Sequence, residues 1–200
     1  FPRLRSQGIV HAGDGKRMSK SRGNVVTPDE VVERYGADIL RVYLLFIAPF
    51  DHNVIWDEEG IAGSERFLHR VWRICQGWDK EADGQAAAEE ALRRAMHKTI
   101  RRVTDDVDAF KFNTALAAMM EWLNALAAHL EAHGATPALR QATGVLIRLL
   151  APFTPHIAEE LWSRRGGEAS VHQQPWPAYD PALSADETVM LIVQVNGKVR

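Results

Sequence analysis

Lys16-Arg17-Met18-Ser19-Lys20-Ser21-Arg22-Gly23-Asn24 packs four cations into seven residues and interleaves them with small hydroxyl side chains. Ammonium and guanidinium groups offset negative charge, and short side chains let the backbone approach a phosphate closely. The stretch therefore suits a phosphate-rich ligand. An ordinary solvated face or a polyanion patch can look the same. It is not a Walker A loop: Gly15-Lys16 is followed by Arg17 rather than Ser or Thr, and Val10 stands where that motif needs its earlier glycine.

The flanking sequence must position this loop. Gly8-Ile9-Val10-His11 reads as a short strand, and Gly13-Asp14-Gly15 as a tight turn leading into the basic run. Thr27-Pro28-Asp29-Glu30 starts a helix, with Thr as cap, Pro at the first position and Glu three residues after the cap. That helix ends near Gly36. A second, from about Asp38, carries Leu40, Val42, Leu44, Leu45 and Phe46, is apolar around most of its surface and is expected to be buried.

Amphipathic helices follow at about 57–78, 87–107, 113–132 and 137–150, and a shorter one starts at Thr154-Pro155. Their apolar residues recur at i, i+3, i+4 and i+7. Short polar connections make this a helical bundle. Gly166-Gly167, Pro175, Pro177 and Pro181 mark a surface linker. Val189, Leu191, Val193 and Val195 then alternate as a strand toward the turn signal Asn196-Gly197, with its partner expected beyond Arg200.

The 200 residues are 46% hydrophobic and 25% charged, as in an ordinary globular protein, and the net charge of -2 announces no polyanion partner. The first 24 residues differ: six Lys/Arg face the single acid Asp14. One cysteine, Cys75, cannot form an internal disulfide and fits a reducing compartment. It lies among Val71, Trp72 and Trp78 and reads as a core thiol. No apolar run is long enough to span a membrane. Both ends fall inside motifs, so the chain reads as a piece of a longer protein.

The basic loop resembles the KMSKS signature of class I aminoacyl-tRNA synthetases, with Arg17 where the first lysine usually stands. Gly23-Asn24, Pro28, Tyr35-Gly36-Ala37-Asp38 and Arg41 resemble the enzymes for branched aliphatic amino acids. Phe46-Ile47-Ala48-Pro49, Trp56, Gly60, Gly63, Arg66-Phe67-Leu68, Arg70 and Trp72 narrow the resemblance to the leucyl-tRNA synthetase family. So do Pro152-Phe153-Thr154-Pro155-His156, Glu159-Glu160-Leu161-Trp162, Pro175-Trp176-Pro177 and Val193-Gln194-Val195-Asn196-Gly197-Lys198.

The resemblance implies a mainly α piece: the tail of a Rossmann-type catalytic domain (1–27), a buried helical junction (28–55), a tRNA-binding helical bundle of the anticodon-binding type (56–165), a linker (166–187) and the first strand of a C-terminal domain (188–200). It implies ATP as substrate, with Mg2+ accompanying it and no metal held by the protein. Arg17, Met18, Ser19, Lys20 and Ser21 then form the ATP loop, with Lys20 at the phosphates as the catalytic residue and Met18 as apolar anchor. Leucine and tRNA(Leu) are the other partners of a monomeric, cytoplasmic ligase, and the piece alone is expected to be inactive. The remaining readings are the matching region of a valine, isoleucine or methionine enzyme, or a non-catalytic helical module that binds RNA or protein.

Two helices carry basic stripes, Arg66, His69, Arg70 and Arg73 on one and Arg94, Lys98, Arg101 and Arg102 on the other. Each residue alone reads as solvated surface. In a tRNA-enzyme context Arg66, Arg70, Arg94, Lys98 and Arg101 become the candidate phosphate contacts, which position RNA without reading its sequence. His156 and Glu159, one turn apart, read as helix-start packing rather than metal ligands.

Overall fold

The computed structural model describes residues 4–76, 82–185, 194–195 and 198–199. Two short strands, β1 (Val10–His11) and β2 (Val54–Ile55), pair in parallel, Val10 opposite Val54 and His11 opposite Ile55. A parallel pair needs a crossover. Here it contains helices α1 (Pro28–Tyr35) and α2 (Ala37–Phe46). Glu30 reaches back to accept the Thr27 amide at 3.3 Å, the reciprocal contact that the cap spacing predicts.

Five further helices build the bundle: α3 (Glu58–Gln76), α4 (Ala86–Asp108), α5 (Phe112–His133), α6 (Pro137–Leu150) and α7 (Pro155–Arg164). They fall on the expected spans; Trp78 lies outside the described residues. α4 packs along α5 and α6, while α3 meets α5 and α7. Leu116, Met119, Leu123 and Leu126 of α5 and Leu139, Leu146, Leu149 and Leu150 of α6 are fully buried. Each such side chain contributes about 1.5–3 kcal/mol relative to exposure. Thr136 caps α6, its hydroxyl accepting from the Leu139 amide at 3.3 Å.

Three expectations change. α2 is not buried all round: Val42 and Tyr43 are, but Leu44 and Phe46 are exposed. Residues 166–185 do run over the surface, yet they form a strap rather than a free linker. Glu159 accepts from the Ser170 hydroxyl (2.8 Å) and the Val171 amide (2.9 Å), Val171 is buried, and a short helix α8 (Pro181–Ser184) packs on α4. Finally, the partner of the terminal strand lies within the chain. β3 (Gln194–Val195) pairs antiparallel with β4 (Lys198–Val199) across the turn signal at 196–197. Val189, Leu191 and Val193, like Asn196 and Gly197, lie outside the described residues.

Candidate functional site

The basic loop is tied at its base and open at its tip. Ala12 donates its amide to the Lys16 carbonyl at 2.8 Å, and His11 bridges Arg17 in antiparallel fashion. Gly15 takes φ +76°, a conformation that glycine adopts without strain. Beyond the bridge, the Ser19 amide donates to Asn24 Oδ1 (2.9 Å), and the Ser19 and Ser21 hydroxyls pair at 2.8 Å. Lys20–Arg22 form one 3-10 turn, closed by Gly23 in the left-handed region at φ +65°. Asn24 thus holds the loop's return, a contact the sequence reading missed. No local pattern signals it, because an Asx turn reaches the amide two residues on and not one five residues back.

Like Ser19 and Asn24, Met18 is half-buried. It lines an apolar groove of about 170 Å³ with Val10, Val26, Val31, Leu40, Leu44 and Trp56. Lys16, Arg17, Lys20 and Arg22 are exposed, and none of them forms an ion pair among the described residues. The one nearby acid, Asp14, turns its carboxylate to the Lys16 amide at 3.0 Å, so four exposed cations leave this loop with a net positive charge, which attracts anions.

The two basic stripes behave differently. On α3, Arg66 is exposed and Arg70 donates Nη2 to Asn124 Oδ1 of α5 at 2.7 Å. On α4, Arg94 meets Glu90 at 3.2 Å, Arg101 meets Asp105 at 4.0 Å, and Arg102 meets Glu121 of α5 at 2.7 Å. Lys98 is half-buried and sits between Arg94 and Arg102. Glu121 and Asn124 are one turn apart on the exposed side of α5, so α5 brings Arg70 and Arg102 to one face from its two neighbours. Arg94 and Arg101 are already matched by acids of their own helix. Such exposed pairs are worth about 0.2–1 kcal/mol, little enough for a phosphate to displace.

Cys75, Trp72, Trp122, His156 and Glu159 are held in packing and local contacts. Burial pushes the Cys75 thiol up to about 12, with the Arg165 guanidinium opposing, so it stays a protonated core group. Trp122 is buried, and the Arg164 guanidinium lies 5.0 Å from the Trp72 ring centre. His156 and Glu159 diverge: His156 turns to Asp38, 2.9 Å away, and Glu159 to the strap.

Comparison with known proteins completes the picture. The family described as "Anticodon-binding domain of tRNA ligase" matches residues 89–200. The chain belongs to that family. Residues 1–57 match "tRNA synthetases class I (I, L, M and V)", the segment that contains the basic loop. A leucine–tRNA ligase from Geobacter sp. (strain M21) is 45% identical over 100% of this chain and 26% of its own length. One from Herpetosiphon aurantiacus is 46% identical over 99% of this chain and 24% of its own length. The chain thus spans about a quarter of these relatives. Among solved structures, LeuRS of Agrobacterium radiobacter K84 agnB2, in a ternary complex with tRNA and LeuAMS, superposes with a TM-score of 0.83 at 34% identity. It covers 97% of this chain and 26% of that one. Mycobacterium tuberculosis methionyl-tRNA synthetase, at 23% identity and a TM-score of 0.64 over 82% of this chain and 38% of its own, shares the fold.

Proposed function

We propose that this chain is a piece of a leucine–tRNA ligase that supplies the ATP-phosphate loop and the helical bundle supporting tRNA(Leu). The observation that carries the reading is the match of the whole chain, at 44–46% identity, to leucine–tRNA ligases. In the intact enzyme, leucine attacks the α-phosphate of ATP to give leucyl-adenylate and pyrophosphate, and the leucyl group then passes to the tRNA. Mg2+ enters with ATP as part of the substrate. The first step concentrates charge on a crowded triphosphate, so fixed cations aimed at it lower the barrier. Lys20 is the residue assigned to that task. Arg17, Ser19 and Ser21 frame it, and Met18 seats the loop. Arg17 keeps the charge of the usual lysine but offers a planar fork.

The tRNA lies against the face that α5 shares with α3 and α4. Arg66 and Arg70 contact phosphate directly, while Arg94, Lys98 and Arg101 do so on displacing their local partners. The single cysteine supports a reducing, cytoplasmic setting. The deciding experiment is leucine-dependent ATP–pyrophosphate exchange by the full-length ligase with Lys20→Ala. Loss of roughly a hundred- to a thousandfold in rate is expected. A rate within a few fold of the parent would remove Lys20 from the site.

A further inference from the structure

Helix α2 touches both halves of the proposed machinery. Leu40 and Leu44 line the groove that seats Met18 of the basic loop. On another side of the same helix, Asp38 and Arg41 reach the corner between α6 and α7. Asp38, only 5% exposed, accepts the Ile157 amide at 2.7 Å and the His156 amide at 3.5 Å. Arg41 donates Nε to the Phe153 carbonyl (3.1 Å) and Nη2 to the Pro152 carbonyl (2.7 Å). An acid thus meets the unpaired amides that begin α7, and a cation meets the free carbonyls that follow α6. Each opposes the backbone charge it faces.

A local residue could have capped α7. Thr154 stands at the cap position, but its hydroxyl donates backward to the Leu150 carbonyl at 3.2 Å. The cap comes instead from a side chain 118 residues earlier. A helix start needs some acceptor; it does not need one on α2. Placing it there makes the corner's register depend on the helix that also seats the loop.

We propose that Asp38 and Arg41 are positioning residues that lock the bundle, through its α6–α7 corner, in register with the basic loop. A tRNA held on the bundle and an adenylate held beside the loop then meet in one frame. This rests on the leucine–tRNA ligase reading above. Misplacing reacting groups by about 1 Å can cost a hundredfold in rate, so a loosened corner acts on transfer to tRNA. Activation of leucine uses the loop, whose Met18 lies against Leu40 and Leu44, side chains that changes at Asp38 and Arg41 leave in place.

The test uses the full-length ligase with Arg41→Ala, Arg41→Lys and Asp38→Asn. Transfer to tRNA should lose roughly ten- to a hundredfold in kcat, with KM for tRNA and tRNA-free pyrophosphate exchange unchanged. Arg41→Lys, which keeps a charge for one carbonyl, should recover part of the lost rate. Transfer and exchange falling in equal proportion, with a lowered Tm, would show a merely structural role and overturn the proposal. So would a variant in which neither rate changes. If the parent enzyme itself shows no leucine-dependent exchange, the ligase reading fails first and takes this proposal with it.

Discussion

Trp176 donates its indole N–H to the Thr104 hydroxyl at 2.9 Å, joining the strap to α4 across 72 residues of chain. Thr104 in turn donates to the Ile100 carbonyl at 2.7 Å, so its hydroxyl is used in both directions. Two turns before Thr104 on α4, His97 Nδ1 accepts the Asp180 amide at 3.0 Å. Together these contacts make the proline-rich segment part of the bundle surface. Trp176→Phe keeps an aromatic ring and removes the donor. The expected loss is about 0.5–1.5 kcal/mol, the net worth of one hydrogen bond. Hydrogen exchange should quicken at residues 174–185 and leave α5 unchanged. Uniform quickening across the bundle would show that the strap is no separate unit.

His129 gives the bundle a pH dependence of known sign. It is buried on α5, with Nε2 2.9 Å from the Thr136 hydroxyl that caps α6. Burial holds its imidazole below the usual range, the neighbouring His133 adds to this, and Glu89 opposes it. The unfolded chain takes up a proton near the ordinary value of about 6.5, while the folded chain resists doing so. His129 therefore weakens the fold as the pH drops from there toward its lower folded value, and its contribution is full above that range. Urea titrations of the parent and of His129→Gln at pH 7.5 and 5.5 check this. The parent should lose more stability on acidification than the variant; equal losses would place the titration elsewhere.

The legible part of this molecule is the local part. Helix spans follow from apolar spacing, and the basic loop is contiguous, so both could be read from neighbouring residues. The Glu90–Arg94 and Arg101–Asp105 pairs are four residues apart and were open to the same reasoning. Contacts across the fold were not. Nothing near Asp38 says that it caps a helix 118 residues later, and nothing near Arg102 points to Glu121. Prolines at 175, 177 and 181 mark the absence of a long helix; they do not show that Trp176 finds a partner on α4. The apolar wrap of α2 predicted burial, but exposed Leu44 and Phe46 show that a pattern cannot say which neighbour covers a face.

Two glycines on α3 should respond to alanine with opposite signs. In a helix interior, Gly→Ala gains up to about 1 kcal/mol in propensity. At Gly63 an added Cβ would meet only the Arg66 guanidinium, 4.0 Å away, so Gly63→Ala should stabilise. At Gly60 the same atom would lie 2.9 Å from Tyr43 Cε2. Tyr43 is buried, accepts the Asp57 amide at 2.9 Å and packs edge-on to Trp56 at 5.2 Å, so it has little room to move. Overpacking of this kind costs about 1–3 kcal/mol, which exceeds the propensity gain. Thermal melts of both variants decide the matter; a stabilised Gly60→Ala would mean that Tyr43 yields freely.

The α3 stripe separates phosphate binding from ordinary surface charge. Arg66 is exposed, while Arg70 is held toward the α5 face by Asn124. If both meet tRNA phosphates, each contact releases counterions, and affinity falls with salt in proportion to their number. Arg66→Ala with Arg70→Ala should then weaken tRNA binding by the full-length ligase and reduce the salt slope by about one per lost contact. The loss should be similar for leucine tRNA and for other tRNAs, because phosphates carry no direct sequence information. Arg102→Ala is the comparison, since its guanidinium is paired with Glu121 at 2.7 Å on the same face. Filter binding at two salt concentrations gives both affinity and slope. An unchanged slope in the double variant would return Arg66 and Arg70 to the solvated surface and move the tRNA path away from α3.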